Sequence, residues 1–160
     1  MSVNNETTFD AAAASKIIAG FDARPEMLVQ ILHGIVRRFG YVSEDAIRQL
    51  ASELNLSRAD VHGVVSYYHD FRTTPPGKHI VKICAAEACQ AMGSRQLSEH
   101  ATATLGVAMH ESSDDVTLEP VYCLGNCACS PAIMIDGHTY GRVSTERFDE
   151  LIGSMGGDDG

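Results

Sequence analysis

Five cysteines carry the most chemistry in this 160-residue chain, and all of them lie in its second half. Cys84 and Cys89 enclose four residues, Ala-Ala-Glu-Ala; Cys123 and Cys127 enclose three, Leu-Gly-Asn; Cys129 follows two positions later. Free cysteine packs as a small hydrophobe. Burial alone would scatter thiols along apolar periodic segments, whereas these fall into two short stretches. In a chain with no export signal, grouped thiols point to metal binding or redox work rather than to disulfides. No Cys-x-x-Cys is present, so a redox disulfide finds little support.

Each pair directly follows a stretch that reads as a strand, 80–83 and 116–122. Both loops are therefore expected at the same edge of one sheet, facing each other. Four thiolates converging there are what a [2Fe–2S] cluster needs, two on each iron. The loops are rich in small residues, namely Ala85, Ala86, Ala88, Gly125, Asn126 and Ala128. Such residues let backbone N–H groups approach sulfur and tune its potential, and Glu87 would bias the site toward low potential. Zinc also pairs its ligands through two to four intervening residues. A structural zinc site therefore stays open as an alternative, although the wider loops suit a binuclear cluster better. Cys129 reads as a fifth thiol packed beside the loop, outside the ligand set.

The elements that must position these thiols divide at Thr73-Thr74-Pro75-Pro76-Gly77. Before this point the chain reads helical. Residues 4–8 look frayed, and 11–19 form an Ala-rich helix. Pro25 suits a first helical turn, and Met27, Leu28, Ile31, Leu32, Ile35, Val36 and Phe39 recur at helical spacing until Gly40. Ser43 reads as an N-cap with Glu44 and Asp45 behind it, and Ile47, Leu50, Ala51 and Leu54 form that helix's stripe. Ser57 with Asp60 reads as a weaker cap, ahead of a stripe of Val61, Val64, Val65 and Tyr68. A helical bundle over 1–74 follows.

The second half alternates. After the strand at 80–83, Leu97, Ala101 and Leu105 mark a helix that Gly106 stops. In the strand of 116–122, Pro120 signals an open edge. Residues 132–135, the turn Asp136-Gly137 and 138–140 read as a hairpin. Ser144 caps a last helix with Val143 and Phe148 as its staple, and a tail follows from Gly153. The order is β-α-β-β-α over 78–153, with 154–160 expected as a flexible tail.

Composition narrows the function further. With 12 Lys and Arg against 21 Asp and Glu, the net charge is −9, which lacks the basic footprint of a nucleic-acid binder. No apolar run approaches the ~20 residues of a membrane span. The opening Met1-Ser-Val-Asn-Asn-Glu has no secretory pattern, so a cytoplasmic location without membrane contact is expected. There is no G-x-G-x-x-G and no P-loop to support nucleotide binding. His62 and His69 read as packing or surface residues, Lys78 and His79 as strand-edge charges, and Glu119 with Asp114-Asp115 as solvated. Tyr67, Tyr68 and Phe71 read as closing a core, with an exposed patch as the alternative.

The helical unit, then Phe71-Arg72-Thr73-Thr74-Pro75-Pro76-Gly77-Lys78-His79, then Cys-x4-Cys, then Cys123-Leu124-Gly125-Asn126-Cys127 with Ser130-Pro131-Ala132, resembles the thioredoxin-like [2Fe–2S] ferredoxin family. The resemblance spans about residues 25–152. It implies an α+β chain, with an N-terminal helical bundle followed by a thioredoxin-like α/β domain on a small open sheet. It also implies one [2Fe–2S] cluster held by Cys84, Cys89, Cys123 and Cys127. The family includes the 24 kDa subunit of respiratory complex I and subunits of NAD-reducing hydrogenases and soluble formate dehydrogenases. Within it, Ala85-Ala86-Glu87-Ala88-Cys89-Gln90-Ala91-Met92-Gly93 looks most like the gamma subunit of molybdenum-containing, NAD-dependent formate dehydrogenase. The expected role is a non-catalytic electron-transfer subunit beside a flavin- and NAD-binding subunit, with a larger molybdenum subunit in the same complex. A stand-alone carrier has no need of a second apolar-faced module, and the helices of 25–70 are the expected docking element. The equivalent subunit of a complex I or of an NAD-reducing hydrogenase is the alternative within the family, and a zinc-stabilised interaction module is the alternative from another class.

Overall fold

The computed structural model describes residues 9–155; the segment read as frayed, 4–8, and the last five residues lie outside it. The described chain forms two compact units, one ending at Pro75 and the other starting at Pro76.

In the first unit, Asp10 caps helix α1 (Ala11–Ala19), its carboxylate accepting from the Ala12 and Ala13 amides. Pro25 opens a short 3-10 turn that leads into α2 (Leu28–Phe39), which ends at Gly40. Ser43 caps α3 (Glu44–Glu53) through the Ala46 amide. Ser57 and Asp60 form a full reciprocal capping box on α4 (Arg58–Tyr67), stronger than the sequence signal implied. The α2 and α3 stripes, with Val61 and Val65 of α4, bury against one another around Ile31, Leu32, Ile35, Leu50 and Leu54. Their apolar faces are thus spent on their own core. Tyr68 leaves the expected stripe because the helix has ended: its backbone is extended at φ −96°, ψ 117°. Tyr67 and Tyr68 stay exposed and meet edge to face at 5.1 Å, while Phe71 turns back into the core. The aromatic trio therefore splits between patch and core.

The second unit is built on β1 (His79–Cys84) and β3 (Val116–Val121), which run parallel in register from His79 opposite Val116 to Cys84 opposite Val121. Antiparallel β4 (Ile133–Ile135) flanks β1 and pairs with β5 (His138–Tyr140), while the two-residue β2 (Glu111–Ser112) lies on the far side of β3. The order is β2-β3-β1-β4-β5. Since β2 reaches only Thr117 and Leu118, the part of β3 holding Pro120 has no strand partner on that side among the described residues, which suits its missing amide. Asp136 and Gly137 both have positive φ, 49° and 86°, as the tight hairpin turn demands.

Alternation puts Val81, Ile83, Leu118, Ile133 and Ile135 into one core with Leu97 and Ala101 of α6 (Ser94–Leu105) and Phe148 of α7 (Thr145–Met155). Val143 and Phe148 both sit in this core, and Ser144 Oγ accepts from the Arg147 amide, so staple and cap are both formed. Two expectations need correcting. The last helix runs on to Met155, with Leu151, Ile152 and Met155 packed on the core, so the chain is not a tail from 153. Glu119 is not freely solvated: it sits opposite Lys82 in register, 3.7 Å from its ammonium. Lys78 and His79 engage Asp115 and Asp136 at 2.9 and 2.7 Å.

Candidate [2Fe–2S] centre

The parallel pairing of β1 with β3 settles where the cysteines go. Cys84 is the last residue of β1, and β3 ends at Val121, two residues before Cys123, so both segments leave the sheet at the same end. Cys84 and Cys89 are buried, each 2% exposed, in a small apolar cluster with Ala132, flanked by Ala86, Val121 and Leu124. Cys89 is not in a loop: it lies in α5 (Glu87–Ala91), a five-residue helix that sequence reading missed. Cys123 and Cys127 are exposed, with their sulfurs 3.9 Å apart. Cys123 takes φ 123°, and the Gly125 amide donates to its sulfur at 3.3 Å.

The thiols sense one another in two pairs. Burial pushes the Cys84 thiol up, against the Ala86 and Leu124 amides, which favour its thiolate. Cys89 feels the same burial, yet hydrogen bonds with Ser130, Cys84 and the Ala132 amide together bring it below the ordinary thiol value. Cys127 is raised first by its hydrogen bond with Cys123, then by the Cys123 charge, slight burial, and finally the charges of Cys89 and Cys84. The second pair therefore lies within electrostatic reach of the first. Among the described residues no group of three His, Cys, Asp or Glu side chains is placed to hold a metal ion. The donor set is two thiol pairs, one buried and one exposed, with amides at the sulfurs. That set fits two irons with two thiolates each.

Cys129 is half-buried on the 3-10 turn Cys127–Cys129. Its amide donates to the Asn126 carbonyl, and its own carbonyl accepts from the Arg142 amide at 2.6 Å. Two contributors do not follow from the cysteine spacing. Ser130 contacts both Cys89 and Cys127. Gly141 passes so close to the turn that a Cβ there would stand 2.7 Å from Cys129 Cβ. The Ser-Pro that follows the cysteines and the Gly that follows β5 were the available hints.

The fold and the two thiol pairs fit an iron–sulfur protein of the ferredoxin class. The chain belongs to the thioredoxin-like [2Fe-2S] ferredoxin family, whose profile matches residues 14–156, and one [2Fe–2S] cluster is that family's cofactor. It is 31% identical over 126 residues to a subunit of NADH-quinone oxidoreductase from Pseudomonas aeruginosa, covering 78% of this chain and 76% of that protein. It is 26% identical over 137 residues to a subunit of the same kind of oxidoreductase from Thermus thermophilus, covering 84% and 76%. Among solved structures, an NAD+-reducing [NiFe]-hydrogenase in the air-oxidised state superposes with a TM-score of 0.70 at 21% identity. That match covers 84% of this chain and 23% of the hydrogenase chain, and it shows the common fold.

Proposed function

We propose that this chain is the electron-transfer subunit of a multi-subunit, NAD-linked oxidoreductase, holding one [2Fe–2S] cluster on Cys84, Cys89, Cys123 and Cys127. What carries the reading is the arrangement of thiols as a buried and an exposed pair at one end of the parallel strands. When bound, such a cluster accepts and returns one electron at a time. The chain's residues supply the rest. The β1 terminus and α5 keep one pair dry, and the amides of Ala86, Gly125 and Ala132 favour negative charge on sulfur. Hydride chemistry needs a two-electron carrier such as a flavin, and the sequence has no dinucleotide fingerprint. The partner is therefore a flavin- and NAD-binding subunit, in keeping with relatives that are NADH-quinone oxidoreductase subunits.

The particular complex is read from the 85–93 segment, which resembles the gamma subunit of NAD-dependent formate dehydrogenase. On that reading a molybdenum subunit completes the complex in the cytoplasm. The complex I type, named by the relatives, is the second reading. Two irons and two acid-labile sulfides per purified chain, with a spin-half signal after dithionite, are the expected result. Stoichiometric zinc without visible absorbance refutes it. The isolated chain should neither oxidise formate nor be bleached by NADH until the flavin subunit is added. Molybdenum in the complex purified through this chain separates the formate reading from the complex I reading.

A further inference from the structure

Ser130 links the sulfur of one thiol pair to the backbone of the other. Its Oγ lies 3.4 Å from Cys89 Sγ and donates to the Cys127 carbonyl at 2.8 Å, and the residue is 9% exposed. A hydroxyl has one hydrogen to give and two lone pairs to receive with. While Cys89 is a thiol, its S–H donates to Ser130 Oγ, and the hydroxyl hydrogen is free for the Cys127 carbonyl. A cysteine ligating a metal is a thiolate and has no hydrogen left. The contact between Oγ and Sγ then becomes a hydrogen bond only if Ser130 turns its own hydrogen onto the sulfur. The Cys127 carbonyl then gives up the Ser130 hydrogen.

We infer that Ser130 is a positioning residue whose hydroxyl, in the loaded protein, donates to the Cys89 sulfur and raises the reduction potential. The inference rests on Cys89 being a ligand, as proposed above. A donor on a ligand sulfur favours the more negatively charged state, which is the reduced one. Besides Ser130, the Cys84 thiol and the Ala132 amide hydrogen-bond this buried sulfur, and once Cys84 is itself a thiolate only the hydroxyl and the amide of these three still donate. Deleting the hydroxyl therefore removes a large part of the stabilisation available there.

The test is an EPR-monitored redox titration of the loaded wild-type protein, Ser130→Ala, Ser130→Gly and Ser130→Thr, each with its iron and sulfide content. Ser130→Ala should keep two irons and two sulfides. At a fixed potential its reduced-to-oxidised ratio should fall about tenfold, a shift of about 59 mV to more negative potential for a one-electron couple. Ser130→Thr, which keeps the hydroxyl, should return toward wild type. A fully loaded Ser130→Ala whose ratio changes less than about threefold, or rises, overturns the inference, as does a Thr variant no different from Ala. If Ala fails to load, the Gly variant serves for the same comparison. Failure of both to load also overturns it, because a tuning bond is dispensable for assembly. Wild-type protein that carries zinc or no iron refutes the cluster itself, an outcome distinct from all of these.

Discussion

Gly141→Ala should distort the turn that carries Cys127 and Cys129. An added Cβ would lie 2.7 Å from Cys129 Cβ, 2.8 Å from Asn126 Nδ2 and 2.9 Å from the Cys129 carbonyl oxygen, where ordinary contact begins at 3.4 Å. The Asn126 amide can swing aside. The other two atoms belong to or adjoin the backbone, and that backbone is pinned by the Arg142 amide on the Cys129 carbonyl and the Cys129 amide on Asn126. Relief therefore means moving the turn by several tenths of an ångström, or breaking one of these bonds. Overpacking of this kind costs about 1–3 kcal/mol. For a domain the size of the second unit, each kcal/mol lowers the melting midpoint by about 4–8 °C.

The control is Gly153→Ala in α7, where a Cβ meets nothing within 4 Å; it should be neutral or stabilising by up to about 1 kcal/mol. Loaded protein melted at one scan rate, with visible and EPR spectra taken beforehand, separates the two variants. Gly141→Ala should melt well below wild type and show altered spectra, because Cys127 moves with the turn. A midpoint within about 2 °C of wild type, with unchanged spectra, refutes the claim that this close approach fixes the turn.

Further outcomes follow from other parts of the chain. Cys129→Ser should keep two irons and two sulfides, whereas Ser at Cys84, Cys89, Cys123 or Cys127 should lose them or shift the spectrum; loss at 129 with retention at 127 would move the ligand assignment. Gly63, inside α4 with open space around it, should accept Ala with a gain of about 0.4–1 kcal/mol, read from the urea midpoint. Hydrogen bonds from Ser57 hold the Asp60 carboxyl below its ordinary value of 3.8. A carboxylate depressed in the folded state adds stability above its unfolded pKa and loses it as pH falls through the folded one. Urea midpoints of wild type and Asp60→Asn should therefore differ near neutrality and converge well below pH 3.8, and a constant difference down that range would refute the box.

The helices that were legible in the sequence are those long enough to show a period. The α2 and α3 stripes bury as their spacing demands, because ten or twelve residues give three turns of repetition. Helix α5 has five residues and strand β2 has two, so neither is long enough to carry a pattern to read. The far end of α7 was obscured by Gly153 and Ser154, although Met155 beyond them packs on the core. At Tyr68 the period itself misled. The spacing is helical, but the backbone is not, and one extended residue takes the side chain off the buried face.

At the site, legibility followed chain locality. Cysteine spacing and the strand before each pair are local features, and the parallel register of β1 with β3 carries both pairs to one end. The asymmetry between the pairs is not local. Cys84 and Cys89 are dry because Ala132, from the segment after the second pair, closes over them. Cys123 and Cys127 are wet because their turn stands at the surface, held from behind by Arg142 and Gly141. The residues that decide this, 130–132 and 141–142, are small or polar and unperiodic. They act through a hydroxyl, an amide and a missing Cβ, and so only their approach in three dimensions reveals what they do to the thiols.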